Sequence, residues 1–384
     1  MTSSSKPGTA ALGLFSGQPQ AENFGRIADF FEIDWIEPST TPRPFRLGDP
    51  ITLSPSYSFD GQVRSTDEFI ESTETTALLI VKNGEIRFEE YWLTGGPEVE
   101  WISWSMAKSF TSALMGIAVR EGAIPSLAAP VTDYVPSLGG TAYDTTTIQD
   151  VLQMSSGARW NEDFSDPDAD IHRFVASLAY QGTQAEVMQT TGPEHPPGTR
   201  WAYNTCDTQA AAMVLTAATG QRITDYMAER LCPALGLEHR CGWILDAEGM
   251  EMAGGGILMT ARDYAKFGEL FRVGGHMNGH QIIPATWVDE STRPMSPQVE
   301  PGRLEIHGMT LPYGYGYQWW LPSGDGGELE ARGVYNQSIW IDKPNGVVIV
   351  KLSANRRYGT SPAERDHRGA ETIAFLRHLS QTTE

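Results

Sequence analysis

The chain has 384 residues, 40% of them apolar and 20% charged, with a formal net charge of −20; it is long enough for a large core without disulfide staples, and its acidity argues against nucleic acid or an anionic membrane surface as a partner. Its three cysteines, Cys206, Cys232 and Cys241, are odd in number and lack a CxxC pattern, so neither a disulfide framework nor a zinc site is expected, and buried free thiols fit a reducing compartment. No apolar run reaches the roughly 18 residues of a membrane span, and the short apolar run Ala10–Phe15 is a poor signal peptide, so a cytoplasmic protein is expected.

In chain order, residues 1–54 are rich in Ser, Thr, Pro and Gly and read as an irregular arm with one short helix near Ala21–Phe31. Residues Thr76–Lys82 and Glu85–Trp92 flank Asn83-Gly84, the signature of a hairpin with a type I′ turn. A helix pattern apolar on nearly every side runs from Ser105 to Val119, and such a helix is buried. Thr147–Met154 reads as a short helix, with Thr147 and Asp150 in capping-box spacing and Gly157 beyond its end. Asp207–Ala218 and Ile223–Leu231 read as helices, and Thr260 with Asp263 opens another to about Val273. A second hairpin pairs Gln337–Asp342 with Val347–Leu352 across Pro344-Asn345-Gly346, and an amphipathic helix spans Pro362–Leu379. Hairpins at both ends with helices between predict an α+β fold: one antiparallel sheet built from both chain ends, flanked by helices, with a mostly helical domain inserted. The expected division is an arm over 1–54, an α/β domain over 55–115 and 255–384, and a helical domain over 116–254, with a ligand cleft between the last two.

Two polar side chains stand at the first turn of the apolar helix. Ser105 and Lys108 are three residues apart and share a helix face, so the hydroxyl and the amine can meet. Burial disfavours the charged form of a lysine, and a neutral lysine beside a serine hydroxyl is a general base. Ser105 at a helix start also leaves its own N–H without an intrahelical partner, where it can stabilise an oxyanion. The bland alternative is an N-cap with a snorkelling lysine. Ser-x-x-Lys also occurs at Ser3–Lys6, but without a buried helix behind it. A second feature is Pro197–Thr205, a turn and short extended run that leads into a helix. It carries Tyr203, which reads either as a proton shuttle into a cleft or as a packing tyrosine.

Four segments in this order, Ser105–Lys108, Pro197–Tyr203, Gly254–Gly268 and Tyr313–Trp320, resemble the serine β-lactamase and penicillin-binding-protein superfamily. The likeness runs from about Thr76 to about Leu379 and is greatest to the class C-like branch, which holds esterases and 6-aminohexanoate-oligomer hydrolases. The resemblance implies a β-lactamase/transpeptidase-like fold and an acyl-enzyme on Ser105, with Lys108 as base and Tyr203 as proton relay. It also implies a second oxyanion donor from a strand N–H, which falls on Gln337. Two positions depart from the family pattern. Thr205 stands where the tyrosine motif usually has Asn, and Val334-Tyr335-Asn336 replaces the strand's Lys-Thr-Gly or His-x-Gly. Without that lysine, which would pair with a β-lactam carboxylate, an amidase or esterase of the nylon-oligomer type fits better than a β-lactamase.

Thr205, Tyr335, Asn336, Trp160 and Trp320 are the expected substrate-contacting residues. No metal or organic cofactor is implied: His276 and His280 lie in a glycine-rich loop, and Asp163, Asp166, Asp168 and Asp170 lack the turn glycine and bidentate Glu of a calcium loop, reading instead as an acidic loop that can reach the cleft rim. The glycines at 254–256 read as a place of close backbone packing. The expected partner is a small-molecule amide or ester, with no nucleic acid and no membrane and with a homodimer left open. The alternatives are a weak β-lactamase or D-amino-acid peptidase, or a sensor that is acylated without turnover.

Overall fold

A computed structural model describes residues 12–178, 181–306 and 308–383; the Ser3–Lys6 match lies outside them. The central sheet has eight strands: β1 (Arg46–Leu47), β2 (Thr75–Lys82), β3 (Glu85–Tyr91), β4 (Gly314–Tyr315), β5 (Trp320–Leu321), β6 (Glu328–Gly333), β7 (Gln337–Asp342) and β8 (Val347–Ser353). Their order is β4-β5-β6-β7-β8-β2-β3-β1. Both predicted hairpins are present. Asn83 and Gly84 take the left-handed backbone (φ 50° and 80°) that a type I′ turn requires, and β8 pairs with β2, which joins the two chain ends. The sheet is antiparallel except at its edge, where β1 runs parallel to β3.

Strands β2 and β8 are buried almost throughout, so each of their faces has its own helical cover. Leu79, Val81, Val348 and Val350 pack with Phe267 and Phe271 of helix α3 (Ala261–Arg272) and with the apolar helix α1 (Ala107–Arg120). Leu78, Ile80, Ile349 and Trp340 pack with Phe375 and Leu376 of helix α4 (Pro362–Thr382). Alternation along the strands thus sorts side chains into two cores. Cys206, Cys232 and Cys241 are buried free thiols. No described helix is long and apolar enough to cross a membrane.

The arm differs from its irregular reading. Its expected helix is two separate turns, Ala21–Phe24 and Ile27–Asp29, while Arg46–Leu47 is an edge strand of the central sheet. Ile33–Ile36 joins a second, four-stranded sheet with Cys241–Ile244, Ile257–Met259 and Trp101–Ile102. That small sheet matters for the site, because Trp101–Ile102 leads directly into the turn that carries Ser105.

Replacing Asn83 with alanine should cost about 1 kcal/mol, because alanine meets the left-handed steric penalty that asparagine tolerates. Asn83→Gly should keep wild-type stability within experimental scatter. Urea midpoints of the two variants check this.

Candidate functional site

Ser105 sits in a 3₁₀ turn, Trp104–Met106, that feeds α1. The turn is sharp because Trp104 is left-handed (φ 43°), an unfavourable conformation for a bulky residue that costs on the order of 1–3 kcal/mol. Packing holds it there: the Trp104 ring meets Phe24 edge-on at 5.5 Å and lies 6.1 Å from Tyr335. The predicted helix beyond is buried on all sides from Ala107 to Ala118.

The Lys108 amine lies 3.1 Å from Ser105 Oγ, 3.0 Å from Thr205 Oγ1 and 2.7 Å from the Gly254 carbonyl oxygen. The side chain is 2% exposed. Burial pulls its pKa down from 10.5 to about 8, against an opposing pull from the Glu162 carboxylate. Gly254 is required by space: a Cβ there would stand 2.7 Å from Thr205 Cγ2 and 3.3 Å from Lys108 Nζ. The glycine run thus packs closely, as its composition suggested: Gly254 against Thr205 and Lys108, and Gly255 and Gly256 against Met252.

Helix α2 (Thr205–Thr219) begins two residues before the predicted start, because the Asn204 side chain accepts from the Cys206 N–H and caps it. Tyr203, just ahead of the cap, stacks on Trp320 with ring centroids 5.7 Å apart. The Lys108 amine lies 5.2 Å from its ring centroid, and the Tyr203 side chain shares the cavity wall with Ser105. Burial and the Glu162 charge push its pKa up, so at neutral pH Tyr203 is a phenol rather than a phenolate.

Ser105 and Tyr203 open onto a cavity of about 770 Å³, and Trp160, Trp320, Asn336 and Gln337 line it with them. Asn336 faces it from a left-handed turn (φ 64°, after Tyr335 at 67°), and its side-chain amide is held by Asn355 at 2.8 Å and Thr372 at 3.2 Å. Gln337 starts β7 directly after that turn.

Two expected contacts require correction, because neither Thr205 nor Tyr335 is on the cavity wall. Thr205 lies behind Lys108, its hydroxyl 2.6 Å from Glu162 Oε1 and its N–H 2.7 Å from Glu162 Oε2. Tyr335 is 1% exposed; its hydroxyl accepts the Phe15 N–H at 3.1 Å, and the Phe15 ring stacks on both Tyr335 and Phe164.

Three functional candidates had escaped the sequence reading. Glu162 lies in the acidic loop, which does reach the cavity wall through Trp160, Asn161, Glu162 and Phe164; besides Thr205, it accepts from Trp160 Nε1 at 2.7 Å. Arg332 and Glu330 form a 2.6 Å ion pair in the wall, with the guanidinium 4.7 Å from the Trp320 ring. Alternation along β6 places both on one face, but no motif marks them. The acidic loop itself is tied by short-range side-chain bonds, Asn161 to Asp166 and Asp170 and Ser165 to Asp163. Among the described residues, no group of three or more His, Cys, Asp or Glu is arranged to hold a metal ion.

The β-lactamase family model matches residues 66–374. A 6-aminohexanoate-dimer hydrolase of Paenarthrobacter ureafaciens is 29% identical over 297 residues, which cover 75% of this chain and 74% of that protein. Among solved structures, a Bacillus anthracis protein assigned as a 6-aminohexanoate-dimer hydrolase superposes with a TM-score of 0.83 at 23% identity, covering 100% of this chain and 99% of the other. A family VIII carboxylesterase superposes with a TM-score of 0.58 at 16% identity, covering 82% and 95%.

Gly254→Ala should destabilise the protein by about 1–3 kcal/mol through overpacking against Thr205 and Lys108. Chemical denaturation measures it, and a midpoint equal to wild type would contradict the close approach.

Proposed function

This chain belongs to the β-lactamase family, and from that premise we propose that it is a serine hydrolase of linear amides or carboxylic esters of small acids, acting through an acyl-enzyme on Ser105. The reading rests above all on the 3.1 Å contact between Ser105 Oγ and a lysine amine buried among neutral oxygens. The names of its relatives, a 6-aminohexanoate-dimer hydrolase and a carboxylesterase, support the substrate class.

Ser105 Oγ attacks the substrate carbonyl while its proton passes to neutral Lys108. The carbonyl π electrons move to oxygen, and the N–H groups of Ser105 and Gln337 hold that oxyanion. Burial holds Tyr203 as a phenol on the same cavity wall as Ser105, so it relays rather than accepts the proton. It gives its own proton to the leaving nitrogen or oxygen and is resupplied from the Lys108 ammonium, as the bond to the leaving group breaks and the carbonyl re-forms. Water then attacks the acyl carbonyl with Lys108 again as base, and Ser105 leaves with a proton as the acid departs. The apolar wall of Trp160, Trp320 and Tyr203 suits an aliphatic acyl chain. Arg332 is already paired with Glu330, so a β-lactam carboxylate would have to displace a carboxylate to reach it, which favours the linear substrates. The three buried free thiols support a cytoplasmic location.

Ser105→Ala should abolish turnover of p-nitrophenyl esters and of a linear aminohexanoate amide while leaving the circular dichroism spectrum unchanged; retained activity would remove Ser105 from the reaction. Only neutral Lys108 accepts the proton, so kcat/KM should rise with pH and be half-maximal near 8, where the lysine loses its proton, rather than near an ordinary lysine value. Lys108→Ala should lose roughly 10²–10⁴-fold. Tyr203→Phe should slow amides more than activated esters, because only the poorer leaving group needs the proton; comparison of the two kcat ratios tests this.

A further inference from the structure

We propose that Glu162, acting through the Thr205 hydroxyl, is the positioning residue that turns the Lys108 lone pair toward Ser105. The inference rests on the hydrolase reading above. A neutral amine has two N–H donors and one lone pair, and the three oxygens around Lys108 Nζ decide which goes where. The Gly254 carbonyl, at 2.7 Å, can only accept, so it takes one N–H. The Thr205 hydroxyl, at 3.0 Å, can donate or accept. Its single proton is claimed by Glu162 Oε1 at 2.6 Å, because an ionised carboxylate only accepts. Thr205 therefore accepts the second N–H of Lys108. Both amine protons are then occupied, and the lone pair is left for Ser105 Oγ at 3.1 Å. Without the carboxylate, the Thr205 proton is free to rotate onto Nζ and block the base.

Glu162 is itself fixed. Its Oε2 accepts the Thr205 N–H and Trp160 Nε1, each at 2.7 Å, so three neutral donors converge on it. Its negative charge is therefore available when the Ser105 proton reaches Lys108. The resulting ammonium donates to the same oxygens of Gly254 and Thr205. The other groups facing Lys108 are the Cys206 thiol, whose pKa burial holds well up, and the phenol of Tyr203, beyond which lie Tyr358 and Arg332. This couple also accounts for the departure at position 205. An asparagine there would present a fixed donor and a fixed acceptor; a threonine has a rotatable proton and needs a second group to direct it.

The test is steady-state hydrolysis of p-nitrophenyl butyrate across the acid limb by wild type, Glu162→Gln, Thr205→Val, Thr205→Ser and the Glu162→Gln/Thr205→Val double variant. Glu162→Gln should lower kcat roughly 10- to 100-fold with KM within about twofold, and its acid limb should move to lower pH, since the carboxylate that raises the Lys108 pKa is gone. A merely structural role would lower activity without moving the limb in that direction. Thr205→Val should show a comparable loss that Thr205→Ser rescues, and the double variant should be no slower than Thr205→Val, because the two residues act through one chain. Should Glu162→Gln fail to fold, the Val/Ser pair at position 205 decides the matter, and equal kcat for the two overturns the proposal. So does a folded Glu162→Gln with wild-type kcat and acid limb, or losses that add in the double variant. Absence of Ser105-dependent turnover in the wild type would instead sink the hydrolase reading and this inference with it.

Discussion

The structure depends on an amine held away from water without a carboxylate in direct contact. Lys108 has three hydrogen-bond partners, and all are neutral oxygens. A second buried lysine in the same chain, Lys266, lies 3.0 Å from Asp263 and 2.9 Å from Glu238. Ion pairing of this kind makes a buried lysine structural. Lys108 has its nearest carboxylate, Glu162, one hydroxyl away. That separation keeps the amine deprotonated within reach of neutral pH while leaving a charge close enough to stabilise it once protonated. The bare hydrogen at Gly254 and the capped start of α2 serve this one arrangement.

The cleft is built where backbone strain concentrates. Trp104, Tyr335 and Asn336 are all left-handed; Trp104 comes immediately before Ser105 and the Tyr335–Asn336 pair immediately before Gln337, and the Trp104 and Tyr335 rings are 6.1 Å apart. Each is held by dense packing rather than by its own preference. Behind the Tyr335–Asn336 turn, the amine of Lys351 bonds to the Asn336 carbonyl and to Ser353 Oγ, and burial depresses its pKa well below the ordinary lysine range. Rigid placement of two backbone N–H groups is what an oxyanion site needs, and both flanking turns are buttressed from the core.

Local chemistry was readable in the residues. Asn83-Gly84 announced its hairpin, Thr147 and Thr260 their helix starts, and a serine and lysine one turn apart on an all-apolar helix announced their contact. Each of these signals lies within a few neighbouring residues. What stayed hidden was long-range. Glu162 meets Thr205 across 43 positions from a loop whose acidity resembles ordinary surface. Ile33–Ile36 and Arg46–Leu47 are too short to show a period, and they become strands only because partners far along the chain present unpaired edges. Thr205 and Tyr335 occupy the expected motif positions, but motif position does not specify on which side of an element the cavity opens.

The ring of Phe15 is sandwiched between the strand turn at Tyr335 and the rim loop at Phe164, with centroids 5.2 and 4.1 Å away. The N-terminal segment therefore acts as a clasp across the back of the cleft, joining two of its walls that share no strand pairing. Trimming this segment would leave the Ser105 helix untouched and yet unfasten the two walls from each other. For this chain, the smallest unit that preserves the pocket's shape begins upstream of the first strand.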